Sequence, residues 1–214
     1  MDPEFWHNKW HTNEIGFHMS EANPMLLAHF QRLQLQPGQR VFVPLCGKTL
    51  DIAWLLDQGF RVVGVELSIL AIDQLFSNLG IRPEVTEYEE LIHYRAPNLD
   101  VFIGDIFLVS PELLGVVDAV YDRAALVALP ADMRAQYTQH VLSITATAPQ
   151  LLITFDYDQA CLPGPPFCVD EAEVDRHYGA AYQIQLLESA AVPGNLKGVC
   201  PAQELVMLLQ PKIA

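Results

Sequence analysis

Residues 41–56 read VFVPLCGKTLDIAWLL: an apolar run from Val41 to Leu45, a turn at Cys46-Gly47, then apolar residues at helical spacing. Strand, glycine turn and helix in this order is how a nucleotide site often begins. A phosphate loop written G-x-x-x-x-G-K-[ST] needs a glycine five residues before the second one. Gly47-Lys48-Thr49 could close such a loop, but Phe42 stands where its first glycine belongs, and the residues between are strand-like. Too few backbone amides are then free to wrap a phosphate. A dinucleotide turn, G-x-G-x-x-G, fails for the same reason, because Gly47 stands alone between Cys46 and Lys48. An acid does end the next apolar run. Glu66 lies 66 − 47 = 19 residues past Gly47, at the tip of VVGVEL, where a carboxylate suits a ribose diol. The bland reading of Glu66 is an exposed strand-end carboxylate. Dinucleotide and adenosylmethionine sites share this acid and differ in the pyrophosphate equipment. An adenosyl-sulfonium ligand carries no phosphate and needs only one tight turn.

Outward from this stretch, strand and helix patterns alternate, as in a parallel α/β sheet. The reading expects strands at Arg40–Leu45, Arg61–Leu67, Leu99–Phe107, Val116–Tyr121 and Gln150–Tyr157. Thr49 caps a helix to about Gln58, and Ser68 caps another through Leu79 that Gly80 ends. EVTEYEELIHYRAPN reads as a small exposed hairpin or irregular segment. Pro130 falls in the first turn of a helix whose apolar face is Met133, Tyr137, Val141 and Ile144. Leu162–Phe167 is a proline-stiffened loop, and Asp170 with Glu173 forms a capping box for a helix ended by Gly179. Gln183–Glu188 and Glu204–Leu209 follow with no helix between, which suggests an antiparallel hairpin at the sheet edge. The whole is the pattern of an α/β class I methyltransferase (Rossmann-like) fold. The sheet is mostly parallel with an antiparallel C-terminal hairpin, and helices cover both faces. A single domain over 1–214 is expected, with residues 1–30 as an N-terminal lid.

The 214 residues can bury a substantial core, and 51% of them are apolar. Twelve basic against 26 acidic side chains leave a formal charge of −14. Such a surface repels phosphate backbones and anionic lipid, so neither nucleic acid nor membrane is an expected partner. No apolar run approaches about 18 residues, and MDPEFWHNKWH does not read as a secretory signal. A cytoplasmic monomer with free thiols is expected. Cys46, Cys161, Cys168 and Cys200 form no zinc spacing. His7 and His11 stand at i, i+4 with His18 following, too little convergence for a metal.

Further motifs carry a resemblance. PLCGKTLDIAWLLDQGFRVVGVELS, the W-x-x-x-W of Trp6 and Trp10, GFH at Gly16–His18, GDIF at Gly104–Phe107, YDRAALVALP at Tyr121–Pro130 and GPPF at Gly164–Phe167 together resemble thiopurine S-methyltransferases, including bacterial members. The resemblance runs from about Trp6 to Phe167. It implies S-adenosyl-L-methionine as methyl donor, S-adenosyl-L-homocysteine as product, and a small-molecule thiol acceptor that is aromatic or heterocyclic, as thiopurines are. Bacterial relatives are also associated with methylating selenium and tellurium species. The last forty residues match less well. Lys197 is the only cation between Arg176 and Lys212, which leaves the substrate-facing wall open.

The resemblance also distributes roles. Leu45 and Gly47 would touch the methionine end of the donor and Glu66 its ribose. Ile106 would pack on the adenine, and Asp105 would take its exocyclic amine. Trp6, Trp10 and Phe17 would form a lid, with Trp6 and Trp10 beside the sulfonium, since aromatic faces attract a cation. The bland reading is an amphipathic helix packed on the core. Arg123, next to both donor and acceptor, would hold an anionic substrate with its forked donors, while Asp122 would orient Arg123 or accept a proton. A structural ion pair is the alternative. Phe17, Pro165 and Phe167 would line the acceptor. Aromatic thiols ionise near neutral pH, so alignment for in-line attack supplies much of the rate. The rivals are a nonenzymatic S-adenosylmethionine-binding module and an NAD-dependent oxidoreductase. The first would not need DRAALVALP or GPPF, and the second lacks its glycines.

Overall fold

The structure is a computed structural model and describes residues 3–212. The expected domain bounds therefore include two residues at each end, and the lid bounds the first two, that lie outside the described residues. The chain divides into two compact units. The first comprises the described residues up to Ala28 and Leu35–Asp118; the second comprises His29–Gln34 and the described residues from Ala119 onward.

In the first unit, β1 (Arg40–Val43), β2 (Arg61–Glu66) and β5 (Leu99–Ile103) run parallel in the order β1, β2, β5. Val41, Phe42, Val62, Val63, Val65 and Val101 are almost wholly buried, as strands covered on both faces require. The helices α3 (Leu50–Asp57) and α4 (Ile69–Leu79) follow β1 and β2. Thr49 and Ser68 accept the backbone N–H of Asp51 and Ala71, and Gly80 ends α4 in the left-handed conformation. The charged segment after α4 is a hairpin, β3 (Glu84–Tyr88) and β4 (Leu91–Ala96), and β4 extends the sheet antiparallel to β5. Its β3 strand is exposed throughout, which explains its weak apolar signal. Before β1 lie α1 (Pro3–His11) and the short α2 (Pro24–His29).

Two expected strands shift. The third ends at Ile103, because Gly104 takes φ +140° and Asp105 then caps a 3-10 turn, Ile106–Leu108. The fourth is β6 (Ala119–Arg123), not Val116–Tyr121. Val116 is 87% exposed, and Asp118 spends its carboxylate on the Arg40 backbone N–H at 2.7 Å and the Gln39 amide at 2.9 Å. A short helix, α5 (Pro111–Leu114), precedes it.

In the second unit, β7 (Gln150–Tyr157) lies parallel to β6, and β8 (Tyr182–Ala191) with β9 (Ala202–Pro211) form the anticipated antiparallel hairpin, with β9 against β7. Between β6 and β7 runs α6 (Ala131–Ile144), with Pro130 at its cap, one residue earlier than expected. Tyr137, Val141 and Ile144 are its buried face. Asp170 caps α7 (Glu171–Tyr178) by accepting the Glu173 N–H at 2.7 Å.

Candidate functional site

In the first unit the predicted ligand residues gather on the turn after β1. Leu45 and Gly47 have φ of +45° and +52°. The left-handed conformation costs a residue with a Cβ about 1–2 kcal/mol, so Leu45 is held there by its surroundings. The Cys46 N–H donates to Val65 O at 2.9 Å, which pins the turn to β2. Glu66 completes the lock. Its carboxylate accepts the Gly47 N–H and the Ser68 N–H, each at 2.8 Å. Its residue is only 6% exposed, and burial raises its carboxyl above the usual range, opposed by the N–H donors of Ser68, Gly47 and Leu67. Glu66 is therefore no exposed strand-end carboxylate. Cys46 is buried, and burial with the Glu66 charge pushes its thiol well up, so it is a packing residue and not a nucleophile.

An aromatic cluster covers this turn. Trp10, 5% exposed, meets Gly47 so closely that a Cβ there would lie 3.0 Å from its ring. Phe17 stands edge-on to Trp10 at 5.5 Å and to Trp6 at 5.9 Å between centroids. Lys48 donates to Gln74 Oε1 at 2.7 Å and sits 5.9 Å from the Trp10 ring. Beside Glu66, Gly104 donates its N–H to Glu66 O at 2.9 Å, which sets Asp105 and Ile106 just past the end of β2. Ile106 is buried; Asp105 is exposed, with Oδ1 taken by the Phe107 N–H at 3.0 Å.

The anchor of the N-terminal segment was not anticipated. Asn23 is buried, caps α2 through its side chain, and donates its N–H to the buried Asp51 at 2.7 Å. The Asn23-Pro24 pair was its available signal. An open cavity of about 430 Å³ lined by Asp73, Phe76, Arg82, Val85 and Tyr94, among others, contains none of the predicted residues.

In the second unit the end of β6 departs from expectation. Asp122 is wholly buried, with Oδ2 accepting the Tyr137 hydroxyl at 2.6 Å and Oδ1 the Leu126 N–H at 3.1 Å. It therefore faces the interior rather than bonding Arg123 or an acceptor. Burial pushes its carboxyl up to about 6, against the bonds from Tyr137, Leu126 and Ala125. Arg123 is partly exposed, and its side chain makes no hydrogen bond or ion pair among the described residues. Glu204 feels its charge. Ala124 follows at φ +62°, a second strained residue directly after a parallel strand.

The GPPF loop is tied down at every residue. Gly164 has φ +80°, and a Cβ there would lie 2.5 Å from the Phe167 ring, so no other residue fits. Phe167 donates its N–H to Val127 O at 2.7 Å, linking the loop to the turn after Arg123. Tyr157 donates to Pro166 O at 2.7 Å and Lys197 to Pro165 O at 2.6 Å. Gln159 donates to Leu162 O and accepts the Cys168 N–H at 2.9 Å. The peptides before Pro165 and Pro166 are cis. Lys197, the lone lysine or arginine between Arg176 and Lys212, thus acts on this loop. Gln159 and Tyr157 carried no sequence signal, since their partners are backbone carbonyls and amides.

The fold has close solved counterparts. A Burkholderia thailandensis 1,6-didemethyltoxoflavin-N1-methyltransferase, solved with 1,6-didemethyltoxoflavin and S-adenosylhomocysteine, superposes at a TM-score of 0.67 with 16% identity, over 99% of this chain and 87% of that one. This likeness defines the class: the α/β methyltransferase fold. The chain belongs to the thiopurine S-methyltransferase family, whose model matches residues 1–210. It is 56% identical to the thiopurine S-methyltransferase of Xanthobacter autotrophicus, over 98% of this chain and 99% of the relative. It is 50% identical to that of Gluconobacter oxydans, over 97% and 94%. It is accordingly a methyltransferase of this type.

Proposed function

We propose that the protein transfers a methyl group from S-adenosylmethionine to the sulfur of aromatic or heterocyclic thiols, thiopurines among them, with selenium and tellurium species as further acceptors. The observation that carries the reading is the turn at Gly47: locked by Glu66, roofed by Trp10, and without phosphate-binding equipment. The residues fit the donor. Both Glu66 oxygens accept backbone N–H groups, and a carboxylate's roughly four acceptor sites leave capacity for a ribose hydroxyl. A pyrophosphate would need the further glycines of G-x-G-x-x-G, and Gly47 stands alone between Cys46 and Lys48.

The bound donor supplies an electrophilic methyl on a sulfonium; the rest of the work belongs to side chains. Glu66 holds the ribose and Ile106 packs on the adenine. Trp6, Trp10 and Phe17 present aromatic faces to positive charge and exclude water, which favours a reaction that neutralises charge. Arg123, hydrogen-bonded to no carboxylate among the described residues, holds the acceptor anion. Phe167 and Pro165 form a wall whose rigidity keeps the sulfur in line. The chain acts as a cytoplasmic monomer on small molecules. Its charge of −14 disfavours nucleic acid and anionic membranes, and among the described residues no helix is long and apolar enough to cross a membrane.

Titration calorimetry with S-adenosylhomocysteine, beside NADH and Mg-ATP, tests the donor class. Micromolar binding of S-adenosylhomocysteine alone is expected; binding of NADH or ATP in its place would overturn the reading. Turnover of thiols, selenols and tellurite with labelled donor then tests the acceptor, with Arg123→Ala expected to weaken turnover or acceptor affinity.

A further inference from the structure

We propose that Tyr137 is a positioning residue: acting through Asp122, its hydroxyl fixes the turn 124–126 and so the direction in which Arg123 leaves β6. The inference rests on the reading of Arg123 as the acceptor's anchor. Tyr137 lies on α6, fifteen residues from Asp122, and both are wholly buried. The phenol reaches one carboxylate oxygen at 2.6 Å, and the other oxygen takes the Leu126 N–H at 3.1 Å. Between them stands Ala124 in the left-handed conformation, which an alanine adopts only when its neighbours hold it.

A buried carboxylate without a cation is an expensive way to stabilise a core, and an apolar pair of equal volume would serve stability as well. What a carboxylate offers instead is several acceptor sites on one rigid group. Here they bind the backbone of the turn on one side and the helix on the other. The groups that face it are the hydroxyls of Tyr137 from α6 and Tyr178 from α7, and the N–H groups of Ala125 and Leu126 from its own turn. Tyr182 of β8 stands behind Tyr178, with ring centroids 5.9 Å apart, and Arg123 is the adjacent charge on β6.

The Tyr178 hydroxyl is buried and has no hydrogen-bond partner among the described residues. That provides an internal control, because Tyr178→Phe removes the same atom from the same core without touching the Asp122 bonds. Tyr137→Phe keeps the ring and removes only the donor. Since the Tyr137 bond lowers the Asp122 carboxyl, its loss raises it. The expected result for Tyr137→Phe is a kcat lowered by about ten-fold, the scale of a small misalignment. S-adenosylhomocysteine affinity should stay unchanged, and the acid limb of the kcat profile should move to higher pH. Tyr178→Phe should leave kcat and the acid limb as in the wild type. Hydrogen exchange of the Leu126 N–H gives a readout free of substrate and should quicken in Tyr137→Phe alone.

Wild-type kcat and acid limb in Tyr137→Phe would overturn the proposal. So would equal losses in the two variants, which would mark a general packing effect. A wild-type enzyme that methylates no thiol would instead remove the reading on which the proposal rests, and the two failures are told apart by that first assay.

Discussion

The carboxylate of Glu66 holds the Gly47 N–H at 2.8 Å, so the acid at the end of one strand fixes the glycine turn at the end of its neighbour. A residue expected to meet a ligand also shapes the surface beside it. Glu66→Gln would place an amide N–H₂ against one of two backbone N–H groups. The expected outcome is at least a ten-fold loss of S-adenosylhomocysteine affinity and destabilisation by about 1–3 kcal/mol, the cost of an unsatisfied buried donor. Calorimetry and denaturant titration check the two parts.

Asp122 makes stability depend on pH in a definite direction. Its folded carboxyl titrates at about 6, above the ordinary aspartate value of 3.8. The group's contribution is therefore fullest below pH 3.8 and is lost as pH rises through 6. Asp122→Asn removes this dependence. The stability difference, variant minus wild type, should grow between pH 4 and 7, by at most about 3 kcal/mol for a shift of this size. Paired denaturant titrations across that range check it, and a constant difference would contradict it.

Trp6 offers a test of the aromatic lid. It is half-buried and touches Phe5 and Phe17 edge-on. If its ring attracts the sulfonium, Trp6→Leu should weaken S-adenosylmethionine more than the uncharged S-adenosylhomocysteine, by about 0.5–2 kcal/mol. Equal losses for the two ligands would leave only packing.

Gln159 braces the GPPF loop through Leu162 O and the Cys168 N–H. Gln159→Ala should raise KM for the thiol several-fold while S-adenosylhomocysteine affinity stays as in the wild type. Steady-state kinetics beside calorimetry check this separation, and parallel losses would place the loop's influence elsewhere.

Local chemistry was legible in the sequence. Thr49, Ser68 and Asp170 are caps because a short polar side chain before an apolar helical run can bond the N–H groups the helix leaves free. Gly47 and Glu66 were found by spacing, since strand, turn, helix and strand have nearly fixed lengths. The family was found from contiguous motifs. What only the tertiary structure decided was direction. Asp122 and Arg123 are neighbours in sequence, yet one side chain is sealed against Tyr137 while the other makes no hydrogen bond among the described residues. In a strand, successive side chains point to opposite faces, and which face is interior depends on elements remote in sequence. The anchors Asn23–Asp51, Gln159 and Lys197–Pro165 escaped for a related reason. Their bonds end on backbone atoms or on a carboxylate many residues away, and no local pattern records which distant segment the fold brings within hydrogen-bonding reach.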